Sequence, residues 1–291
     1  MDDKEFLAGQ FEQHRAHLRA VCYRMLGSLS EADDAVQEAW VRLNRSDAEE
    51  IENLGGWLTT VVARVCLNML RARKTRRELP LDARLPDPVV ERIDGGNPEH
   101  EALLADSVGL ALLVVLEQLS PAERLAFVLH DMFAVPFDEI APMVERTPEA
   151  ARQLASRARR RVHGAAPQAP TDRARQRELV DAFHAAAREG DFERLVSVLH
   201  PDVVLRVDFG PRRPIRETVG AEAVAGQAVM FGRGAPASDT TETVLINGTL
   251  GQVRFRDGQP FSLLAFTIAN DRIVEMNILA DTERLAHLGL R

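Results

Sequence analysis

The sequence predicts a multidomain protein: two all-α portions followed by an α+β domain built on one curled antiparallel sheet. Three observations predict it. Apolar residues recur at helical spacing through residues 5–77, and again from about Pro98 to His163. Proline-containing stretches at 78–106 and 164–171 interrupt that texture as linkers. From residue 172 short alternating runs are joined by Asn247-Gly248, Asp257-Gly258 and Asn270-Asp271, all favoured hairpin turns. A chain of 291 residues is long enough for two or three cores.

In the first block, Leu29, Ala32, Val36, Trp40 and Leu43 form an apolar stripe, with Asp33, Asp34, Gln37 and Glu38 on the other face. Ser30, with Asp33 three residues on, has the pattern of an N-terminal cap. A second helix is expected to start near Gly56 and to bury Trp57, Val61, Val65 and Met69. Arg64, Asn68 and Arg71 then stack on its opposite face. Residues 78–106 hold four prolines, a Gly95-Gly96 pair and eight acids against two arginines, an acidic linker.

In the second block, 107–163, residues 137–161 read as a helix-turn-helix. A short helix, Phe137–Val144, meets a tight turn at Glu145-Arg146, where glycine is the usual residue. A longer helix follows, with Thr147 as its cap and Pro148 in first position. Ala151, Leu154, Ala158 and Val162 make its core stripe, while Glu149, Gln153, Ser156, Arg157 and Arg160 project away. In 172–291 the expected order is helices Arg173–Arg188 and Phe192–Leu199, strand Val203–Asp208 and helix Ala221–Phe231. Strands Glu242–Ile246, Thr249–Arg256, Phe261–Ala269 and Ile273–Leu279 follow.

Charge is unevenly spread. The chain carries −8 overall, yet Arg64–Arg77 carries +6 with no acid, and Arg152–Arg161 has no acid either. Local positive charge on a net-negative chain points to a polyanion bound at defined places. Each basic helix alone also reads as a solvated helix end. The projecting residues of the helix-turn-helix, with the helix N-terminus, suit groove edges and phosphates. The 78–106 stretch carries −6, so Asp87, Glu91 and Asp94 are candidates to cover the basic helix in the free protein. The alternative is that its acids only keep a tether extended.

Cys22 and Cys66 sit in apolar helical patterns and read as small core residues. No metal-ligand spacing, phosphate-binding glycine loop or serine nucleophile pattern occurs, so no catalytic residue, metal or cofactor is assigned. The N-terminus lacks a signal pattern, and the longest apolar run, Val108–Leu116, is too short to span a bilayer. A soluble cytoplasmic protein without a membrane partner is expected.

The helical segments resemble a known family. Ala35–Leu43, AVQEAWVRL, after Glu31-Ala32-Asp33-Asp34, is similar to the core-binding helix of sigma region 2. Trp57–Arg73, WLTTVVARVCLNMLRAR, resembles the adjoining promoter-melting helix, and Leu119–Arg161, opening LSPAERLAFVLHDMF, resembles sigma region 4. Together they resemble a bacterial extracytoplasmic-function (ECF) sigma factor of the sigma-70 family, a class associated with stress responses. The resemblance implies that Asp33, Asp34, Gln37 and Glu38 dock on the β′ clamp helices of RNA polymerase core, whose β′ and β subunits are the implied partners. It implies that Asn53, Arg64, Asn68, Arg71, Arg73 and Lys74 recognise and open the −10 element, where an extruded base needs a pocket. Thr147, Glu149, Gln153, Ser156, Arg157 and Arg160 would read the −35 duplex through the major groove.

Residues 172–291 resemble a SnoaL-like domain, a cone-shaped α+β fold that a subgroup of ECF factors carries as a regulator. Asp208-Phe209-Gly210-Pro211-Arg212 and Ala280–Leu285, ADTERL, resemble two short signature segments of that subgroup, with departures from the usual residues. The resemblance implies regulatory roles for Asp208, Gly210, Asp281 and Arg284; beyond the resemblance, this domain is expected to contact region 2 or the tether. A cone of this kind leaves an apolar pocket for a small molecule. His184, His200, Asp202, Asp208 and Asp281 are the candidates for acid–base chemistry inside it. Two alternative functions stay open on sequence: a helix-turn-helix regulator with a small-molecule-sensing domain, and a cyclase or isomerase fused to a DNA-binding tether.

Overall fold

Gly27 and Asn53 punctuate the first helical block. The computed structural model describes residues 3–46, 51–76, 84–93, 109–165, 172–211 and 213–290. It divides into two units. One comprises Met1–Glu78, Asn97–Asp106 and Leu113–Ala165; the other comprises Leu79–Gly96, Ser107–Leu112 and Ala166–Arg291.

In the first unit, helix α1 (Asp3–Leu26) ends at Gly27, whose φ of 68° lets the chain turn sharply while its N–H reaches Tyr23 O. Helix α2 (Leu29–Leu43) starts after Ser28, two residues before the expected cap Ser30. Ser30 therefore lies inside the helix and shares a hydrogen bond with Ser28, and Asp33 is turned to Arg19 instead (2.6 Å). Helix α3 (Leu54–Arg76) opens on Asn53, whose Oδ1 accepts from Gly56 N–H at 3.0 Å. Its buried stripe is Leu58, Val62, Cys66 and Leu70. Val65 is buried as expected, whereas Trp57, Val61 and Met69 are only half-buried, so the centre of the stripe is displaced by one position from the sequence reading. Cys22 and Cys66 are fully buried free thiols in this α1–α3 core, and burial holds the Cys66 thiol well above its ordinary range.

After α4 (Leu110–Glu117), the helix α5 (Pro121–Phe127) opens on a capping box. Ser120 Oγ accepts from Glu123 N–H, and Glu123 returns a carboxylate to Ser120 N–H. A π-turn at Val128–Met132 follows, then α6 (Phe137–Met143) and α7 (Pro148–Ala165). The buried face of α7 is Ala151, Ala155, Ala158 and Val162; Leu154 is half-buried. Buried Arg124 of α5 donates to Met25 O of α1 at 2.9 Å, and Arg24 stacks over Phe133 at 4.8 Å.

The second unit contains helices α8 (Arg173–Glu189) and α9 (Phe192–Val198), strands β2 (Leu199–Asp208) and β3 (Arg216–Val219), and helix α10 (Ala221–Arg233). Then come β4 (Thr240–Ile246), β5 (Thr249–Arg256), β6 (Gln259–Ala269), β7 (Arg272–Leu279) and α11 (Thr282–Ala286). Asn247, Asp257 and Asn270 all adopt φ near 50°, as their hairpin turns require. Leu179, Phe183, Leu195, Val224, Phe266 and Met276 belong to the core between the helices and the sheet.

The sheet order is β1-β4-β5-β6-β7-β2-β3, where β1 is Val90–Arg92. The edge strand β3 was not expected, and two further features depart from the expected antiparallel meander. Strand β2 joins β7 in parallel, a pairing between segments far apart in the chain that alternation cannot reveal. Strand β1 comes from the stretch read as an acidic tether, and it pairs antiparallel with β4. Leu85, Pro86, Pro88, Val89 and Val90 are buried, so residues 84–93 are an integral part of this unit. Proline and acid content masked a short edge strand. Asp94, expected to act with Asp87 and Glu91 over the basic helix, lies outside the described residues.

Candidate nucleic-acid interface and linker clasp

On α2, the burial of Ala32, Ala35, Val36 and Ala39 turns Asp33, Asp34, Gln37 and Glu38 outward. Glu38 pairs with Arg42 one turn on (2.8 Å), and Asp33 pairs with Arg19, which leaves Asp34 and Gln37 in the middle of an acidic, exposed face. On α3, Arg64, Asn68, Arg71 and Lys74 are all exposed. Arg73 is not part of that face. Its Nη1 donates to Leu26 O at 2.9 Å and its guanidinium pairs with Glu31, so it ties α3 to the α1–α2 connection. Asn53 is exposed at the start of α3, with half-buried Trp57 one turn away.

The helix-turn-helix has the expected geometry at its second helix. Thr147 Oγ1 accepts from Ala150 N–H at 3.3 Å, and Pro148 begins α7. Glu149, Gln153, Ser156, Arg157 and Arg160 are exposed. The sequence reading missed Arg152, which lies over the Phe137 ring at 5.3 Å and is exposed on the same helix. It also missed that Arg157 is engaged: its Nε donates to Glu123 at 3.1 Å.

The turn itself is strained. Glu145 takes φ 56°, a left-handed conformation that glycine adopts at little cost. Its carboxylate lies 4.0 Å from Arg71 on α3, with both side chains largely in solvent. Such an exposed pair is weak, so relief of strain should prevail on substitution. Glu145→Gly should stabilise the first unit by about 0.5–1 kcal/mol, read from the urea midpoint of the full chain; a lower midpoint would mean that the Arg71 pairing outweighs the strain.

In the second unit the four regulatory candidates meet at one place. Asp208, at the end of β2, is 1% exposed. Its Oδ1 accepts from Gly210 N–H, and its Oδ2 accepts from Leu85 N–H and from Arg284 Nη1, each at 2.9 Å. Arg284 also donates to Asp87 Oδ1 (2.7 and 3.1 Å) and to Leu85 O (2.8 Å). Asp281 caps α11 by accepting from Glu283 and Arg284 N–H, which fixes the helix that carries Arg284. Gly210 has φ +90°, and a Cβ there would meet the Asp281 carboxylate at 2.6 Å. Beside this clasp, Asn247 Oδ1 accepts from Val89 N–H while Asn247 N–H donates to Val89 O. The 84–93 stretch is therefore gripped through its backbone as well as through Asp87.

A Sigma-70 region 2 model matches residues 10–76, and a Sigma-70 region 4 model matches residues 109–162. The chain is 40% identical over 250 residues to the ECF RNA polymerase sigma factor SigJ of Mycobacterium tuberculosis, covering 83% of this chain and 79% of SigJ. The chain belongs to the ECF RNA polymerase sigma factors. It is 33% identical over 289 residues to the probable ECF sigma factor SigI of the same species, covering 98% and 97% of the two chains. The crystal structure of M. tuberculosis SigJ overlays it with a TM-score of 0.77 at 35% identity, covering 98% of this chain and all of that one. The likeness to SigJ therefore extends through the α+β domain.

Several charged residues of the sigma factor act inside the fold. Glu123 is 6% exposed and takes Ser120, Arg157 and Arg161 (3.2 Å) as partners. Burial alone would raise its carboxyl pKa; the Ser120 hydroxyl and N–H, then the two arginines, outweigh it and hold the carboxyl below its ordinary value. Of the acid–base candidates, Asp208 and Asp281 belong to the clasp, and His200 Nδ1 accepts from Asp202 N–H at the start of β2. His184 alone points into the α+β domain's core, stacked edge-on to Phe183 and Phe266. Among the described residues no group of three or more metal-ligating side chains occurs, and no helix is long and apolar enough to cross a membrane.

Proposed function

We propose that this sigma factor docks on RNA polymerase core through the exposed acidic face of α2, and reads promoter DNA with α3 and α7. The β′ clamp helices are the contact for Asp33, Asp34, Gln37 and Glu38, and the β subunit completes the core surface. Arg64, Asn68, Arg71 and Lys74 meet the −10 element, with Asn53 beside the extruded base. Arg73 acts as a positioning residue that anchors α3. Thr147, Glu149, Gln153, Ser156, Arg157 and Arg160 meet the −35 duplex, with Arg152 added to them. The observation that carries this reading is the pair of exposed cationic helix faces on a chain of net charge −8.

The α+β domain modulates this activity by gripping the chain that connects the two DNA-reading regions, through Asp208, Gly210, Asp281 and Arg284. Its cone takes a small molecule and does no chemistry, and the protein works in the cytoplasm. Gel filtration with purified core polymerase tests the docking. The wild-type chain should co-elute with core at one-to-one stoichiometry, and the double change Asp34→Lys with Gln37→Lys should weaken the complex at least tenfold. Absence of any wild-type complex would sink the reading.

A further inference from the structure

A cleft of about 390 Å³ opens in the first unit where the last turns of α3 meet the α4–α5 connection and the end of α7. Its size is that of a small-molecule site. Arg73 and Lys74 line it from α3, Arg124 from α5 and Arg161 from α7, and Glu117 and Glu123 are its carboxylates. Among the described residues, four cations against two acids give the lining a surplus of positive charge. Partners just outside the cleft do not remove it. Glu31 pairs with Arg73 and Arg157 pairs with Glu123, one charge of each sign.

The cations are of two kinds. Arg73 and Arg124 are fixed from behind: Arg73 Nη1 donates to Leu26 O and Arg124 Nη1 donates to Met25 O, each at 2.9 Å. Consecutive carbonyls at the end of α1 thus hold both guanidinium groups in place, which spares a guest the cost of ordering them. Lys74 and Arg161 are exposed and reach the cleft from different helices. Arg161 keeps 56% of its side chain in solvent while it bonds to Glu123. A guanidinium presents a planar fork of N–H donors that matches phosphate oxygens, and a lysine ammonium adds a movable point charge. Leu70, Leu119 and Pro121 complete the wall with apolar surface, so these charges act in a medium less polar than bulk water. A concave wall with one sign of charge in excess focuses its field on a guest. A lone carboxylate would leave part of the surplus unmet, whereas a phosphate chain meets it.

We propose that this cleft binds an oligophosphate, free or as the head of a nucleotide, held by Arg73, Lys74, Arg124 and Arg161. In the proposed function Lys74 also meets the −10 element, so a bound oligophosphate competes with promoter DNA for it. That consequence rests on the DNA-reading role of α3; the site itself does not.

Isothermal titration of the full-length protein with tripolyphosphate, ATP and adenosine, with divalent cations chelated and polymerase absent, tests the site. Tripolyphosphate and ATP should bind saturably at one site per chain, with adenosine at least a hundredfold weaker than ATP. Tighter binding of ATP than of tripolyphosphate would assign a nucleotide as the source, and the reverse order a free oligophosphate. The double change Lys74→Gln with Arg161→Gln should weaken both anions at least tenfold. Arg64→Gln with Arg160→Gln, which removes two exposed arginines outside the cleft, should leave them within twofold. A larger loss from that second pair than from the first would show that the anions ride on the DNA-reading faces, and would overturn the cleft. Absence of saturable binding by tripolyphosphate and ATP would overturn the site, and adenosine binding as tight as ATP would overturn phosphate recognition. A sigma factor that selects start sites yet fails these titrations would lose this site and keep its proposed function.

Discussion

Replacing Arg284 with alanine should destabilise the second unit by about 3–5 kcal/mol, the usual cost of stripping one partner from a buried charge pair. Three anchors would go at once: the bond to Asp208, the two bonds to Asp87 and the bond to Leu85 O. Asp208 would remain as a carboxylate 1% exposed, with the Gly210 and Leu85 N–H groups as its remaining donors among the described residues. Amide hydrogen exchange reads the effect where it arises. Exchange at Leu85 and Val89, whose N–H groups bond to Asp208 and Asn247, should quicken by two or more orders of magnitude relative to wild type. Asp87→Asn removes a partner that is 25% exposed, so its effect should be much smaller. Wild-type exchange at both amides in the Arg284 variant would show that β1 and the sheet edge hold the segment without the clasp.

Glu123→Gln should cost the first unit about 2–3 kcal/mol at pH 7, because one buried carboxylate makes several charge-assisted hydrogen bonds. The amide can keep part of the Ser120 cap but cannot attract Arg157 and Arg161 as the carboxylate does. The same group gives a pH dependence. The folded state holds the Glu123 pKa below its ordinary value of 4.5. Its stabilisation is therefore present above that value and is lost as pH falls through the folded pKa. Urea midpoints of wild type and variant should differ clearly at pH 7 and draw together as pH falls from 4.5 through the lowered folded pKa. A gap that stays constant across that range would contradict the ionised role of Glu123.

What could be read from the sequence was local, and what could not was long-range. The three hairpin turns follow from Asn or Asp in a left-handed conformation, a property of a few adjacent residues, and all were legible. The Thr147 cap and Pro148 start of α7 were legible for the same reason. On α3 the apolar stripe slipped by one position because Trp57 and Leu58, or Val61 and Val62, satisfy a 3.6-residue period almost equally. Arg71 and Arg73 lie about 200° apart on that helix, so a basic run alone could not say that one faces solvent and the other binds Leu26 O. Strand β1 was hidden because the average composition of 78–106 is that of a linker, while its partner β4 lies more than 150 residues away. Asp208 and Arg284 were legible only as short segments of familiar type; that both converge on Leu85 and Asp87 could come only from the fold.

The central claim is that this chain directs RNA polymerase to selected start sites. Run-off transcription with purified core and the full-length protein, on a pool of promoter fragments, measures that directly. Discrete transcripts that require both proteins, and that vanish when Arg64 and Arg71 are both changed to alanine, are the expected result. Transcription that stays as unselective with the protein as with core alone would contradict the account.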